Sequence, residues 1–536
     1  MTNFADRMPA SCIKDVKYSN LGELVEAYAS QRPDSHAFSY HQKKELIKVD
    51  HKTFKREILS VLHSLDLDKK TGKHIAIVGE NSYKWILCYF AIVTTGNVAV
   101  PVDKELPANE IVELVKYADC EEVIISDSYI DVFDKDAFEG IKVINMKEID
   151  KDNTSYESES VARKIDNDAT SCIFFTSGTS GKSKGVMVSQ TNIVSDIEAV
   201  YDNFYNKVAF TDSVSVLPYN HAFGLNVGVL VVYRFGCGIH VCGSLKRVQK
   251  DLQELKPQTL CLVPLFVEKF YKMIWAEAEK GKKDKALKAL IKLSNALLAI
   301  GIDVRRKLFK SVLDVFGGNF RYVVCGGAAL DNMYVKFFHS IGVDVLNGYG
   351  ATECSPVISC NCNYKEAKKY GGTGVALNCS KVEIAEDGEI IVSGKNVALG
   401  YYKLPEGSDN AFVDGAYHTG DLGKLVDGRI IITGRKKNLI ILSNGENISP
   451  EELENDIARD QAVQEVLVYD KNGIIVAEIF PEEAFMNNQE YFEELRKKVN
   501  TGRPLYKQVA EIKLRDTEFI KNTTKKIVRY KNITKE

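Results

Sequence analysis

Short apolar runs alternate with amphipathic segments through the first two thirds of the chain, and this order restricts the possible folds more than any other feature. Residues Leu21–Gln31 and Ile111–Tyr117 carry apolar side chains at helical spacing, whereas His74–Gly79 and Glu122–Ser126 are short runs of mainly apolar residues. A strand, helix, strand order brings successive strands into parallel sheets with helices on their faces. The sequence therefore predicts an α/β fold.

The pattern changes after Gly371 to short alternating strands and turns, which predicts a small β-rich subdomain. From Asn438 onward the chain has the pattern of a separate α+β unit, in which Ser449 is expected to cap a helix that begins at Pro450. We therefore expect a large N-terminal domain of parallel sheets covered by helices over residues 1–435. A smaller, mobile α+β domain is expected over residues 436–536.

Charge excludes some classes of function. The 70 lysine and arginine residues are balanced by 73 aspartate and glutamate residues, so the 536-residue chain has a net charge of −3. A protein that coats nucleic acid through its overall charge would be strongly basic. The lysine-rich C-terminus also lacks the paired aromatic residues of a base-stacking surface. No nucleic-acid partner is expected.

Several features predict a cytoplasmic protein. Asp6 and Asp15 lie where a secretory signal needs a cationic tip and an apolar stretch. The most apolar runs are far shorter than the roughly 20 residues of a membrane-spanning helix. Twelve cysteines without paired spacing are typical of buried thiols in a reducing compartment.

The segment Cys172–Ile193, CIFFTSGTSGKSKGVMVSQTNI, joins an apolar strand directly to a loop of Ser, Thr, Gly and Lys. Such a loop offers backbone amides, hydroxyls and a cation to phosphate oxygens. It is not a Walker loop, because Thr176 stands where that motif requires glycine. A polar hairpin without function is the alternative for such a loop taken alone.

Three more blocks follow in order: NGYGATECSP at 347–356, preceded by VVCGGAAL at 323–330; YHTGDLG at 417–423; and GRKKNLIILSNGENISPEELE at 434–454. Together with the first segment they resemble the adenylate-forming, AMP-binding superfamily of acyl-CoA synthetases, luciferases and peptide-synthetase adenylation domains. The resemblance covers nearly the whole chain. It implies ATP-dependent activation of a carboxylic acid to acyl-AMP, with ATP and Mg²⁺ as ligands.

The resemblance assigns roles to residues of the large domain. Thr352 is expected to touch the α-phosphate or the acyl carboxylate, and Glu353 to bind magnesium, with Thr176 as a second ligand. His221, in the block LPYNHAFGL at 217–225, is expected to position the reacting carboxylate; a lone histidine is otherwise more often structural. The residues expected to hold phosphate or border adenine are Thr176, Ser177, Gly178, Thr179 and Lys184 for phosphate, and Gly327, Ala328 and Tyr349 for adenine.

Further roles fall near the C-terminus. Asp421 and Arg435 are expected to hold the ribose, Lys437 to be the hinge between the domains, and Gly445 to border the tunnel for the thiol. The tail FIKNTTKKIVRYK, residues 519–531, resembles the block of the family that carries the catalytic lysine, although Ile520, Asn522 and Lys525 depart from it. The register set by Ile527 and Arg529 favours Lys526 over Lys525 as the catalytic lysine.

The substrate follows from three features. Ala222 occupies the position where adenylation domains for amino acids carry an aspartate, which disfavours an amino-acid substrate. The insert 279–318 and the segment 80–107 both resemble long-chain fatty acyl-CoA synthetases. From Lys280 to Lys310 the insert has ten Lys/Arg and two Asp, interleaved with leucine and isoleucine. This composition is compatible with peripheral contact with an anionic membrane, or with an ordinary packed helix with solvated lysines.

The resemblance therefore implies a fatty acid or a related carboxylic acid as substrate and CoA as co-substrate. An acyl carrier protein is the alternative acceptor, since both thiols carry pantetheine. A non-catalytic nucleotide-binding protein is a further alternative. Retention of Lys184, Glu353, Asp421, Arg435 and Lys526 together counts against it.

Overall fold

A computed structural model describes residues 11–134, 136–176, 183–205, 207–208, 212–365, 372–404, 411–442, 446–521 and 526–533. The strands of these regions, in chain order, are β1 His36–Gln42, β2 Glu45–Asp50, β3 His74–Val78, β4 Val98–Val102, β5 Glu122–Ile125, β6 Lys142–Asn145, β7 Thr170–Thr176, β8 Lys184–Ser189, β9 Ser213–Ser215, β10 Ile239–Val241, β11 Thr259–Leu262, β12 Tyr322–Cys325, β13 Asp344–Gly350, β14 Val357–Cys360, β15 Ser380–Ile384, β16 Glu389–Gly394, β17 Gly400–Tyr401, β18 Phe412–Val413, β19 Ala416–Val426, β20 Arg429–Arg435, β21 Ile440–Ile441, β22 Asn447–Ile448, β23 Val463–Lys471, β24 Ile474–Pro481 and β25 Glu511–Leu514.

The helices of the same regions are α1 Leu21–Gln31, α2 His51–Ser64, α3 Tyr83–Val93, α4 Ala108–Tyr117, α5 Gln190–Phe204, α6 Val232–Arg234, α7 Val248–Leu255, α8 Pro264–Lys280, α9 Asp284–Ala299, α10 Arg305–Leu308, α11 Lys310–Asp314, α12 Asn332–Ser340, α13 Pro450–Ile457, α14 Gln489–Asn500 and α15 Arg529–Asn532. A π-helical segment, Phe223–Val231, leads directly into α6. The α/β fold predicted from the alternating pattern is confirmed.

The largest sheet has seven strands in the order β17-β8-β7-β4-β3-β5-β6. Strands β3 to β7 run parallel, and β8 and β17 add antiparallel strands at one edge. The central strands β3 and β4, HIAIV and VAVPV, are buried almost throughout. β-Branched residues buried on both faces are typical of a parallel sheet that helices cover.

Two four-stranded sheets complete the parallel part of the fold. Their orders are β2-β1-β10-β9 and β11-β12-β13-β14. In the first, β1 pairs with β10 although some 200 residues separate them in the chain. In the second, β11, β12 and β13 are parallel, so their carboxyl ends lie at one edge of the sheet.

The β-rich part forms a five-stranded sheet of β15, β16, β19, β18 and β20. The turn between β19 and β20 is Asp427–Gly428, with φ of 49° and 74°. Both residues are in the left-handed region that tight hairpin turns require. The predicted β-rich subdomain is therefore present.

Clustering of contacts divides the chain into two compact units. The first comprises 1–382, 392–417 and 427–430, and the second comprises 383–391, 418–426 and 431–536. The predicted boundary between residues 435 and 436, and the mobility of the smaller domain, stay predictions.

Within the second unit, β23, β24 and β25 form a sheet against which α13 and α14 pack. Its core includes Leu453, Val468 and Phe492, each fully buried. Ser449 lies directly before α13, but the predicted side-chain cap was wrong: its hydroxyl donates to Glu451 Oε2 at 2.8 Å. Pro450, at the first helical position, needs no amide partner.

No helix in the described part of the chain combines the length and apolar character needed to cross a membrane.

A buried arginine joins three segments of the first unit. Arg234, 1% exposed, ends α6 and pairs with Glu198 of α5. Its guanidinium donates to the carbonyl oxygens of Ile13 and Lys14 at 3.0 and 3.2 Å, and it lies 3.6 Å from the centre of the Tyr201 ring. A buried cation is costly unless it is paired and hydrogen-bonded, and here it is both.

We expect Arg234→Met to destabilise the first unit by about 1–3 kcal/mol, because the change leaves two carbonyl groups and the partly exposed Glu198 carboxylate without this partner. Urea unfolding followed by tryptophan fluorescence measures this, since Trp85 and Trp275, the two tryptophans of the chain, both lie in this unit. The matched control is Lys69→Met, which removes a solvent-exposed pair with Asp66 and should leave the unfolding midpoint nearly unchanged. Equal unfolding midpoints for the two variants would contradict the role given to Arg234.

Candidate functional site

The predicted phosphate loop joins β7 to β8. Thr176 and Lys184 are the last paired residues before it, and Thr176 Oγ1 lies 3.5 Å from the carbonyl oxygen of Lys184. Ser177, Gly178 and Thr179 lie outside the described residues. The antiparallel register thus brings one hydroxyl and one lysine together at the mouth of the loop.

Tyr401 links this hairpin to the next motif. The two-residue strand β17 pairs antiparallel with β8, and Tyr401 lies opposite Val186. The ammonium of Lys184 is 4.5 Å from the centre of the Tyr401 ring, a cation–π distance. The hydroxyl of Tyr401 donates to Glu353 Oε1 at 2.7 Å. One aromatic side chain therefore contacts the loop lysine and the predicted magnesium carboxylate.

Glu353 lies in a single turn of 3₁₀-helix, Thr352–Cys354, directly after β13. The side chain is buried, with 8% of the residue exposed, and its backbone carbonyl accepts from the amide of Ala398 at 2.9 Å. Thr352, one residue earlier, is half-buried. Thr176 therefore contacts the backbone of Lys184, Lys184 contacts the Tyr401 ring, and Tyr401 contacts Glu353, so that these residues form one series of contacts.

The residues predicted to border adenine lie at the carboxyl ends of two neighbouring parallel strands. Cys325 of β12 pairs with Asn347 of β13, and Gly327 and Tyr349 each lie two residues beyond this pair. Gly327 has φ of 86°, a conformation that favours glycine. Gly327 and Ala328 are exposed, whereas Tyr349 is 8% exposed. A turn of small residues and an aromatic residue thus lie at the same edge of the sheet.

His221 lies in the turn before the π-helical segment, and its carbonyl accepts from the amide of Leu225 at 3.0 Å. Its Nε2 is 3.5 Å from Asn220 Nδ2. The π-helical segment after His221 lies near the glycine turn that follows β12 and contacts the residues just after Glu353. A Cβ at Gly326 would be 3.3 Å from the Phe223 ring, and Asn226 donates to the carbonyl oxygen of Ser355 at 3.0 Å.

A second cluster lies wholly within the second unit. Asp421 of β19 is 6% exposed, and its Oδ1 pairs with Arg435 Nε, at the end of β20, at 2.7 Å. The amide of Asp421 donates to Thr419 Oγ1 at 3.0 Å, and that hydroxyl donates to the carbonyl oxygen of Ile390. These contacts fix the position of the Asp421 carboxylate, which the sequence predicts to bind the ribose.

Lys526 belongs to the same cluster. Although the residue as a whole is exposed, loss of solvation around the ammonium lowers the pKa of Lys526, and repulsion from Arg435 lowers it further. The Asp421 carboxylate opposes both effects. Three residues from separate motifs are thus close enough to interact electrostatically.

The structure gives less information about the remaining predicted residues, Lys437 and Gly445. Lys437 is exposed in the short 3₁₀-helix Lys436–Asn438 that follows β20. Gly445 lies outside the described residues, and so does Lys525, the alternative to Lys526. Their assigned roles stay predictions.

Tyr401 was not among the predicted residues. It lies in no recognised block, and the two-residue strand that carries it is too short to give a period-2 pattern. The only local signal is the Gly400-Tyr401-Tyr402 sequence. The contact with Glu353 arises from pairing between β17 and β8, which are more than 200 residues apart.

Comparison with known proteins identifies the family of the chain. The sequence model of the family described as AMP-binding enzyme matches residues 25–402. The chain is 29% identical over 444 residues to long-chain-fatty-acid–CoA ligase 5 of Rattus norvegicus, which covers 74% of the chain and 64% of the relative. The match thus spans less than two thirds of that relative. Long-chain-fatty-acid–CoA ligase 1 of Cavia porcellus is 26% identical, with 88% and 73% covered.

The fold resembles a solved structure of o-succinylbenzoate CoA synthetase from Bacillus subtilis in complex with its acyl-adenylate intermediate. The TM-score is 0.74 at 21% sequence identity, and 95% of this chain and 97% of that chain are covered. At this identity the likeness describes the fold.

Two substitutions around Lys526 are expected to change its pKa in opposite directions. We expect Arg435→Gln to raise the pKa, because it removes a repulsive charge and leaves Asp421 to attract the ammonium. Asp421→Asn should lower it further, because Arg435 then acts unopposed. After reductive ¹³C-methylation, the Lys526 signal is identified by its absence in Lys526→Arg, and its NMR shift is followed against pH. Shifts of the same sign in both variants would contradict the proposed cluster.

Proposed function

Because the chain belongs to the AMP-binding enzyme family, we propose that it activates a carboxylic acid with ATP and transfers the acyl group to a thiol. In the first step a carboxylate oxygen attacks the α-phosphorus of ATP, and the bond to pyrophosphate breaks. In the second step a thiolate sulfur attacks the acyl carbon and AMP leaves with the bonding electrons. The overall reaction is that of an acid–thiol ligase.

The contact series Lys184, Tyr401 and Glu353 carries this proposal. It places a cation and a buried carboxylate on one tyrosine at the end of the hairpin whose loop is rich in hydroxyl and glycine residues. A cation neutralises phosphate charge, whereas a carboxylate in the same place would repel it unless a divalent ion lay between them. The pairing of opposite charges therefore suits a polyphosphate bound with its metal.

The oxygen donors fit magnesium. Glu353 and Thr176 offer a carboxylate and a hydroxyl, both hard ligands, near Lys184. Bound there, Mg²⁺ would neutralise negative charge on the transferred phosphates. Lys184, with the amides and hydroxyls of residues 177–179, would hold the β- and γ-phosphates.

We propose that the second cluster serves the nucleoside and the reacting centre. Asp421 and Arg435 would hold the ribose hydroxyls, and Gly327, Ala328 and Tyr349 would border adenine. Thr352 and His221 would position the carboxylate and the α-phosphate. Lys526 would stabilise charge as it develops in the first step. Lys437 would be the hinge about which the smaller domain rotates between the first and the second step. Gly445, which has no side chain, would leave room for the pantetheine arm of the thiol.

The substrate proposed is a long-chain fatty acid. Support comes from the two rodent relatives, whose names specify long-chain fatty acids, and from Ala222, a buried residue where amino-acid activation calls for a carboxylate. CoA is the proposed acceptor. The specific observation in favour of a catalytic protein over a nucleotide-binding one is the Asp421, Arg435 and Lys526 cluster, since binding alone does not call for the lysine.

Exchange of pyrophosphate into ATP tests the first step. A panel of acids from acetate to stearate, with benzoate and leucine, should show strongest exchange with long-chain acids. Absence of exchange with every acid would exclude an activating enzyme. Thioester formation with CoA and with acyl carrier protein then distinguishes the two acceptors.

Lys526→Met should reduce exchange by about 100-fold or more, because it removes a charge that stabilises the transition state. Thioester formation from supplied acyl-AMP should be much less affected. Lys521→Met is the matched control: Lys521 belongs to the same tail but pairs with Glu465 and Glu518. Equal losses in both half-reactions, or an equal loss in the control, would contradict the role of Lys526.

We further propose that the insert 279–318 contacts an anionic membrane from the cytoplasmic side. Lys280, Lys282, Lys283, Lys285, Lys288 and Lys292 are all exposed. Apolar side chains lie exposed beside them, Leu293 at 49%, Ile300 at 71% and Ile302 at 48%. Cationic side chains with exposed apolar ones suit an anionic lipid surface, where long-chain acids also partition.

Sedimentation with phosphatidylserine vesicles measures this contact. Changing Lys282, Lys285 and Lys292 to Glu should reduce binding about tenfold or more, at about 1 kcal/mol per cation at the surface. The control changes Lys69, Lys497 and Lys498 to Glu, which alters net charge equally at exposed sites elsewhere. An equal fall in vesicle binding in both triple variants would contradict a contact through the insert, because binding would then depend on net charge alone.

A further inference from the structure

Two histidines and an aspartate meet in the first unit, away from the motifs described above. They are His41 of β1, His240 of β10 and Asp251 of α7, and one nitrogen or oxygen atom from each lies within 4.8 Å of the others. Among the described residues they form the one group of this kind. None of the three belongs to a family motif noted in the sequence.

Sheet register explains why the side chains meet. Strands β1 and β10 run parallel, with Ser39 opposite His240. Because side chains alternate along a strand, Ser39 and His41 share one face of the sheet, and His240 and Cys242 extend from the same face of the neighbouring strand. Helix α7 covers this face and contributes Asp251, which is 1% exposed.

The surroundings of the buried His240 side chain indicate a bound ligand. The residue is 2% exposed, and among the described residues its Nε2 has no hydrogen-bond partner. The nearest carboxylate oxygen is Asp251 Oδ2, at 3.6 Å, which is beyond hydrogen-bond distance. A buried polar atom without a partner destabilises the folded state. A cation between Nε2 and Oδ2 would satisfy both atoms.

The opposite nitrogens of the two rings already have partners. His240 Nδ1 is 3.2 Å from Ser39 Oγ, and His41 Nε2 is 3.4 Å from Glu254 Oε2. A ring N–H that donates to an oxygen leaves the other nitrogen as a lone-pair donor. In metal sites this outer contact fixes the tautomer and orientation of the histidine. Here it directs His240 Nε2 and His41 Nδ1 toward Asp251.

We propose that His41, His240 and Asp251 bind a zinc ion, with the fourth position available to water. Neighbouring ligand atoms around tetrahedral zinc lie about 3.3 Å apart, given metal–ligand bonds of about 2.0–2.2 Å. His240 Nε2 is 3.6 Å from Asp251 Oδ2 and His41 Nδ1 is 3.8 Å from Asp251 Oδ1, so the ligand atoms would have to move closer together on binding the ion. Nitrogen and oxygen donors in this number favour zinc over magnesium or calcium.

Two neighbouring groups define the conditions for binding. The Arg247 guanidinium is 3.3 Å from Asp251 Oδ1, which leaves Oδ2 as the oxygen that faces the metal. His41 is partly exposed and borders Glu254, which provides a route from solvent.

The ion would join β1 to β10 and α7, which follow it by some 200 residues in the chain. It is therefore proposed as a structural ion that takes no part in the proposed reaction. Zinc binding is measured without acid, ATP or CoA, so the result does not depend on the proposed function. The full chain is first dialysed against a chelator. It is then titrated with ZnCl₂ by calorimetry in competition with a chelator of known affinity.

We expect one tight zinc ion per chain in the unaltered protein. His240→Gln should weaken that ion by roughly 100-fold or more, as loss of an inner ligand exceeds the 10–100-fold effect of outer contacts. His41→Gln, at a partly exposed position that does not endanger folding, should weaken it similarly. His63→Gln is the matched control, because His63 also lies beside two carboxylates, Glu159 and Asp68, without a second histidine.

A rise in melting temperature on adding zinc should accompany binding and should be absent in His41→Gln and His240→Gln. Bound Co²⁺ should give the intense visible bands of a tetrahedral site in the unaltered protein and in the control alone. Absence of tight zinc binding in the unaltered chain would overturn the proposal. Equal affinity in the unaltered protein and both site variants would also overturn it, since the ion would then lie elsewhere.

Discussion

The Glu353 carboxylate is the group on which the arrangement of the first unit's motifs depends. It is buried, and a buried carboxylate needs hydrogen-bond donors. Tyr401 supplies one, and Tyr401 is held by pairing of β17 with β8. Since β8 begins at Lys184, the register of one sheet edge fixes the distance between the loop lysine and the carboxylate. Burial of a single acid therefore connects three segments that are separated by up to about 220 residues of sequence.

The second cluster has its own support within the second unit. Asp421 is oriented by its backbone and by the β19–β20 hairpin that ends at Arg435. Lys526 comes from the C-terminal tail and interacts electrostatically with both residues. Each unit thus contains a preformed part of the proposed machinery.

Local pattern predicted much of this from sequence. The helix Leu21–Gln31 begins and ends as its apolar spacing indicates, with Asn20 accepting from the amide of Glu23 at its start. The same holds for the strands at His74 and Glu122, where apolar runs lie between turns. Glu353 and Asp421 were identifiable because their neighbours within ten residues form recognisable blocks.

What escaped prediction depends on pairing between distant segments. Tyr401 reaches Glu353 only through the β17–β8 pairing, and His41 reaches His240 only through β1 and β10. No local period encodes either partner. The missed cap at Ser449 has a different cause: a hydroxyl can bond to a nearby carboxylate as readily as to a backbone amide, and Glu451 is two residues away.

The basic insert shows how structure changes the meaning of a charge count. Ten cations lie between Lys280 and Lys310, but Arg305 pairs with Asp303, and Arg306 donates to the carbonyl oxygens of Phe320, Gly318 and Gly342. These two arginines hold the insert to the body of the unit. Most of the remaining charge belongs to the exposed lysines of 280–292, which flank the apolar side chain of Leu293. The arginines of this segment, with several donors in a fixed geometry, attach it to neighbouring backbone. Its lysines, with strongly hydrated ammonium groups, lie at the surface. A membrane contact, where it forms, would therefore involve the lysine-bearing part of the insert and leave its attachment unchanged.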